Sequence, residues 1–479
     1  MLTSRALCLL HIGTMGHKIR ITCAALCVLA YPAASLAAVE TLEQAWADAY
    51  SMNPSLQAER AELRATDEQV SQALSHWRPS IDATANGGRT WQRIPGLDLF
   101  GDGHFADETH GVGAQLTQPV FRGFQTIEQT EAAEKQVLAG RAKLQHAEQQ
   151  LFTDTATAFL DLIRDLEILN DERDNEHVLQ QKLQETRVRN EHGDLTQTDV
   201  RQAEARLARA GVSRVQAENA VNQDRASFQR LVGHLPETLS VDGFAIAIPK
   251  TLNETTQQAA HSPDVAEAQF NVEEARAEIK LNEGPLLPQV DLVASSNRDW
   301  GQSSTVPGRE DSSQVLLQAT IPLYHSGADY SRARAAEQTL TQRQMELEDT
   351  QHKAVEAATN AWQSFENSAA ALEADETEVA ADAEAFKGVK VENQVGTRTT
   401  LDVLNAEQEL VDAKISRARS LHDKQFAMVQ IKSAIGELTA DKLKLPVKAY
   451  DPSSHYHDVK YQLFGFSKDN SNYQAPTLK

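Results

Sequence analysis

The sequence predicts a mainly α protein with a small β part, in which long antiparallel helical hairpins follow pairs of strands. Three observations carry that fold class. Matching residues recur at fixed offsets, so one architecture occurs twice. Two runs of just under 70 residues lack proline. Four short stretches alternate apolar and polar residues, the period of a strand with one apolar face.

The duplication sets the frame. Gly193, Asp199, Val200, Ala203, Glu204, Leu207 and Gly233 recur 203 residues later as Gly396, Asp402, Val403, Ala406, Glu407, Leu410 and Gly436. Pro119 and Pro322 share that offset, and nearer the start of each half the offset is 209, as in Pro54/Pro263, Pro79/Pro288, Arg89/Arg298 and Trp91/Trp300. The period is too long for a solenoid and implies a duplicated unit that folds as a pair.

Residues 1–37 read as a secretory signal peptide. Lys18 and Arg20 precede the apolar run Ile21 to Tyr31, and Ser35-Leu36-Ala37 has the small-x-small pattern of a cleavage site. Met15 offers a second start. Leu26 before Cys27 argues against a lipoprotein signal. All three cysteines lie in this leader, so the mature chain has no disulfide, thiolate metal site or cysteine nucleophile. Losing the leader moves the formal charge from −22 to −25. A nucleic-acid partner is therefore disfavoured, since a polyanion needs a basic surface. The acidity suits a solubility role or an interior that favours cations. No mature segment is long and apolar enough for a transmembrane helix.

After the leader, Thr41 to about Leu74 reads as one helix with Thr41 as N-cap, and Pro263 to Leu281 as its counterpart. The first strand pair shows Ile81, Ala83, Ala85, Gly87 and Trp91 on one face, then Val112, Ala114 and Leu116; the second shows Val290, Leu292, Ala294 and Trp300, then Val315, Leu317, Ala319 and Ile321. Gly/Pro/Asp-rich loops (Pro95-Gly96, Gly101-Asp102-Gly103, Pro307-Gly308) separate the strands. Alternation alone also fits a soluble sandwich. The length of about ten residues and the paired Trp91 and Trp300 favour membrane strands with an interfacial aromatic belt. Arg89 and Arg298 share that face and are tolerable only at headgroup depth.

Long polar helices follow, Phe124 to His192 and Ala328 to Val395. Each spans about 100 Å at ~1.5 Å per residue. Val137, Leu144, Leu151 and Ala158, then Leu162 and Leu169, have coiled-coil spacing. Gly193 and Gly396 end these helices, and shorter helices return to Gly233 and Gly436. Four strands cannot close a barrel, and an open sheet edge cannot face lipid. The chain must therefore oligomerise, and three copies supply twelve strands. The expected divisions are leader 1–37, first repeat 38–245, second repeat 246–440, and a partly disordered C-terminal tail 441–479.

The two halves resemble the TolC-like outer membrane efflux proteins from about Thr41 to Leu438. The most specific stretch runs Val395-Gly396-Thr397-Arg398-Thr399-Thr400-Leu401-Asp402-Val403-Leu404-Asn405-Ala406. Gly193-Asp194-Leu195 with Thr198-Asp199-Val200 is similar to the family's first helical turn. Pro119-Val120-Phe121 and Pro322-Leu323-Tyr324 resemble its exits from barrel to helix. Tyr450-Asp451-Pro452, His455-Tyr456 and Phe464-Gly465 are similar to members serving type I secretion.

The resemblance implies a homotrimer in the outer membrane, its twelve-stranded β-barrel continuous with a periplasmic α-barrel tunnel. It implies a passive efflux or secretion duct, docked by a periplasmic adaptor to an inner-membrane ABC or proton-driven transporter. Asp402 matches an acidic ring at the pore entrance; Asn405 stands where the family often has a second acid, so that ring would be neutral. Thr198, Asp199 and Arg398 match residues that latch the closed state, and Asn393 replaces an aromatic of that latch. Gly193, Leu195, Gly396 and Thr397 would face the adaptor.

The same residues also have a plain local reading. Thr196-x-x-Asp199 and Thr399-x-x-Asp402 have capping-box spacing, and an acid in a first turn suits the helix dipole. No catalytic constellation, cofactor motif or metal-ligand spacing is present, and His455 and His457 read as surface residues. The rival reading is a periplasmic or secreted coiled-coil rod with a small β cap.

Overall fold

The computed structural model describes residues 39–93, 104–236, 238–240, 246–301 and 308–466. The leader, the loops at Pro95-Gly96 and Gly101-Asp102-Gly103, Pro307, and residues 467–479 lie outside them. Among the described residues no helix is long and apolar enough to cross a membrane.

The chain enters through strand β1 (Val39–Glu40) and helix α1 (Leu42–Met52), which Thr41 starts in a capping box with Gln44. The expected single helix from Thr41 to Leu74 is corrected here. Asn53 is extended, its Oδ1 accepts from the Ser55 N–H at 2.9 Å, and a second helix, α2 (Pro54–Ser75), begins. Pro54 occupies the first helical position, where its missing N–H would have had no intrahelical acceptor. The second copy repeats the break: α5 (Leu252–Ala259) ends before Ser262, and Pro263 opens α6 (Pro263–Glu283).

The four expected strands are present as β2 (Ser80–Arg93), β3 (His104–Arg122), β5 (Gln289–Trp300) and β6 (Arg309–Thr320). They form one antiparallel sheet in the order β2-β3-β5-β6. β3 runs further than alternation predicts, through Pro119, with an irregularity between Pro119 and Phe121. A proline donates no ladder bond, and a bulge beside it absorbs the mismatch. The remaining two-residue strand, β4 (Thr238–Leu239), pairs with β1 in parallel.

Cross-strand register separates the two faces. Ile81, Leu116, Ala294 and Val315 form one apolar row. Thr84, Gly113, Asn297 and Ser312 form a polar row on the other face. Gly113 leaves room there for the Asn297 amide, whose Oδ1 would lie 2.3 Å from an added Cβ. The apolar face is uncovered: Ile81 and Val315 are each 71% exposed and Leu317 69%.

Each strand pair feeds a 67-residue helix, α3 (Gln125–Glu191) or α7 (Ala328–Gln394). Both exits use two successive left-handed residues, Gly123-Phe124 and Ser326-Gly327. Such a reversal turns the chain sharply from sheet to helix. The helices return as α4 (Gln197–Val232) and α8 (Thr400–Ala434). α3 packs against both α4 and α8, and α8 against α7, giving the lateral order α4-α3-α8-α7. Lys414 and Asp171 (3.1 Å), Arg417 and Glu167, and His422 and Asp161 (3.0 Å) tie α8 to α3 in antiparallel succession.

The predicted heptad residues Val137, Leu144, Leu151, Ala158, Leu162 and Leu169 are all buried. The main core gathers Trp46, Tyr50, Phe152, Phe159 and Phe228 around α1, α3 and α4. α7 differs sharply from its twin: it buries eight residues where α3 buries twenty-two. Among the described residues one flank of this long helix is thus left without a partner.

The described part of the tail packs down through α9 (Ser454–Val459). Lys460 Nζ reaches Glu134 at 2.7 Å, and Tyr450 N–H donates to Tyr50 Oη at 2.9 Å. His455 is not a surface residue as expected. Its side chain is largely buried, with Nδ1 3.2 Å from Oδ2 of the buried Asp67. His457 is exposed.

Candidate functional site: the paired helical turns

The turns at the far end of the two hairpins are near copies. His192 caps the end of α3 and Val395 that of α7, each followed by a left-handed glycine, Gly193 (φ 84°) and Gly396 (φ 83°). Asp194 N–H donates to Arg189 O (2.9 Å) and Gly193 N–H to Asn190 O (3.0 Å). Thr397 to Glu392 (3.0 Å) and Gly396 to Asn393 (3.1 Å) repeat the pattern. This double closure satisfies the last carbonyls of each helix. A side chain at either glycine would meet open space, so backbone conformation, not crowding, demands glycine.

Asn190 and Asn393 complete the turns. Their side-chain amides donate to Leu195 O (2.8 Å) and Arg398 O (2.9 Å) respectively. Asn393 is buried. It holds the turn from inside, at the position where the resembled pattern has an aromatic. The 203-residue offset between the two asparagines was a readable signal for this shared role.

The acids then cap the returning helices. Asp199 Oδ2 accepts from the Thr196 N–H (2.8 Å) and hydroxyl (2.7 Å). Asp402 Oδ2 does the same with Thr399, at 2.8 Å for both. The capping-box reading is therefore correct for both. The Thr399 backbone N–H and hydroxyl, with Arg398 nearby, hold the Asp402 carboxyl below the usual carboxylate range. The Thr196 hydroxyl and N–H do this for Asp199. Both acids stay ionised at neutral pH while serving as caps.

Thr198 is exposed, Leu195 half-buried and Thr397 exposed with its hydroxyl donating to Glu392 O at 2.9 Å. Arg398 pairs with Glu392 across its own turn at 3.0 Å. Among the described residues no hydrogen bond or ion pair joins Thr198 or Asp199 to Arg398. Near the turns the hairpins are linked instead by Arg206, which donates to Asn405 Oδ1 at 2.8 Å. Arg206 has no arginine counterpart in the second copy, Glu409 standing there, so the repeat could not reveal it.

Glu407 sets the second copy apart. Its counterpart Glu204 is ion-paired with Arg187 (2.9 Å) and Arg201 (2.7 Å). Glu407 is 5% exposed, and burial pushes its carboxyl up to about 7 against the opposing pull of Lys182 and Lys390. Its Oε2 has no hydrogen-bond partner among the described residues. The folded protein holds this proton more tightly than the unfolded chain, where the value is 4.5. Stability should therefore fall as pH rises from about 4.5 to about 7 and then level off. Glu407→Gln should remove that part of the slope and raise the melting temperature most above pH 7. Melting curves across that range check this; an unchanged slope contradicts it.

At the other end, Trp91 is 74% exposed and Trp300 36%. The Arg89 guanidinium lies 5.9 Å from the Trp91 ring centre. Arg298 is neutralised by Asp311 directly across the strand pair, at 2.7 Å. In register Trp91 faces Ala106, whereas Trp300 faces His110. The two are thus staggered by four residues of β3.

A duplicated strand–strand–helix–turn–helix unit, with a one-sided apolar sheet at one end and capped turns at the other, is the fold of outer-membrane channel proteins. The chain belongs to the outer membrane efflux protein family, whose model matches residues 46–234 and 256–437. It is similar to the outer membrane efflux protein BepC of Brucella suis biovar 1, 33% identical over 89% of this chain and 92% of that one. It is 24% identical to the outer membrane protein TolC of Escherichia coli over 85% of each. Among solved structures it resembles the CmeC outer membrane channel of Campylobacter jejuni, with a TM-score of 0.76 at 14% identity over 88% of this chain and 89% of that one. The TolC-like resemblance and the outer-membrane location are thereby correct, and membership decides against the periplasmic rod.

Proposed function

We propose that three copies of this chain close into a passive exit duct across the outer membrane, docked through the helical turns to a periplasmic adaptor and an inner-membrane transporter. One observation carries this reading. Among the described residues the sheet is open, with β2 and β6 as its edges, and its apolar face is bare. Lipid tolerates no open edge, so β6 of one copy must meet β2 of the next. The same closure covers the bare flank of α7 and makes twelve tunnel helices from three sets of four.

The tryptophan stagger fits this barrel. Strands in such barrels are tilted, so a horizontal plane crosses the sheet obliquely. A line falling two residues per strand from Trp91 meets Glu108 on β3, Trp300 on β5 and Asp311 on β6. The charged residues of the apolar face, Arg89, Glu108, Arg298, Arg309 and Asp311, then lie on or within two residues of headgroup depth. Ten residues further along β2, β3 and β5 come Ile81, Gln118 and Val290, and Ile321 directly follows β6. Ten residues is the span a tilted strand needs.

At the other end, Asp402 from three copies would place three carboxylates around one axis, with Asn405 as a neutral ring one turn on. Such an entrance favours cations. In this reading Thr198, Asp199 and Arg398 hold the closed state by polar links between helices, in addition to their local bonds. The transporter supplies energy and selects the cargo.

Conductance in planar bilayers tests the duct and its latch together. The wild-type protein should form small cation-selective channels, and Asp402→Ala with Arg398→Ala should conduct several-fold more. No channels at all would remove the duct. A double variant that conducts no more than wild type would remove the latch.

A further inference from the structure

Far from the turns, three side chains from separate segments converge where the described chain begins. Glu40 lies on β1, Asp48 on α1, and His234 directly after Gly233, which ends α4. Their donor atoms, one from each residue, all lie within 4.8 Å of one another. His234 Nε2 is 3.4 Å from Asp48 Oδ2 and 3.7 Å from Glu40 Oε1. Those distances are long for hydrogen bonds, which favour ~2.7–3.2 Å. They suit common ligands of one cation: bonds of ~2.0–2.2 Å at tetrahedral angles put ligand atoms ~3.4 Å apart.

The imidazole is held in the orientation a metal needs. Nδ1 lies 3.0 Å from the Leu235 carbonyl, which can only accept, so Nδ1 carries a hydrogen. Nε2 is thereby turned toward the two carboxylates. A backbone carbonyl on the distal ring nitrogen is the usual support of a metal-binding histidine. Phe228 packs edge-on against the ring, with centroids 6.0 Å apart at 72°. The Glu40 residue is only 7% exposed, and its carboxylate faces the imidazole.

The duplication does not impose this cluster. At the two offsets, Asp48 and His234 correspond to Gln257 and Glu437, and Glu437 is held by Lys432 at 2.6 Å. The triad belongs to the first copy alone.

We propose that Glu40, Asp48 and His234 bind one divalent transition-metal ion of the zinc type, with solvent completing the coordination. Imidazole with two carboxylates suits such an ion better than magnesium or calcium, which prefer all-oxygen sites. The ion would fasten β1 and α1 to the end of α4, a structural role beside the duct function.

The test uses full-length protein in detergent, stripped with EDTA and titrated calorimetrically with ZnCl2, with MgCl2 as control. One zinc per chain should bind, with no comparable magnesium signal, and zinc should raise the melting temperature. His234→Ala and Asp48→Asn should each weaken zinc binding at least tenfold. The Asp48 side chain is 46% exposed, so its conservative variant should melt with the wild type in EDTA. No saturable zinc binding, or binding that both variants leave unchanged, overturns the proposal and leaves an imidazolium between two carboxylates.

Discussion

Leu317→Arg should strip the protein from the outer-membrane fraction. Leu317 lies on β6, 69% exposed, paired with Leu292 and on the same face as Val315 and Ala319. It stands six residues beyond Asp311. At ~3.3 Å per residue that is about 20 Å along the strand, and about 15 Å of depth at a tilt of ~40°. Half of a ~30 Å hydrocarbon core is the deepest place for a charge. Arginine there costs about 2–4 kcal/mol per chain, and the proposed trimer would meet the cost three times. Fractionation and heat-modifiability on gels read the outcome. Glu310→Arg, beyond the belt and on the opposite face, should leave insertion intact. Equal recovery of both variants in the membrane would contradict the assigned lipid face.

Phe152→Ala should destabilise the helical body by about 3–5 kcal/mol, the usual cost of emptying a large buried aromatic site. Phe152 is fully buried on α3, with the Trp46 ring 5.9 Å and the Tyr50 ring 6.1 Å away. The Trp46 indole N–H also donates to the Phe152 carbonyl at 2.8 Å. The rigid long helix cannot collapse into the vacated space without displacing α1. Denaturant unfolding of the purified protein measures the loss. A change under about 1 kcal/mol would mean that this cluster does not hold α1 against α3.

The long helices were legible almost to the residue. Proline-free runs bounded by reversing residues specify their own ends, and the helices span Gln125–Glu191 and Ala328–Gln394. The strands were legible because one face must be apolar. The break at Asn53 was legible too: an interior proline interrupts a helix and is tolerated only in a first turn, so Asn53-Pro54 marks the cap and first position of a new helix. At the turns, the spacing of Thr399 and Asp402 showed the cap. It could not show Arg206 on Asn405, because pairing between hairpins has no local pattern. His455 against Asp67 was hidden for the same reason: they are 388 residues apart, joined only when the tail folds back. Glu407 and Glu204 look equivalent in sequence, and only packing separates the buried acid from the paired one.

The number of chains in the detergent-solubilised outer-membrane particle, by native mass measurement with symmetry-free image averaging, tests the account most directly. Three chains around one hollow axis, with β6 of each copy beside β2 of the next, is the predicted result. A single chain, stable in buffer without detergent, would contradict it.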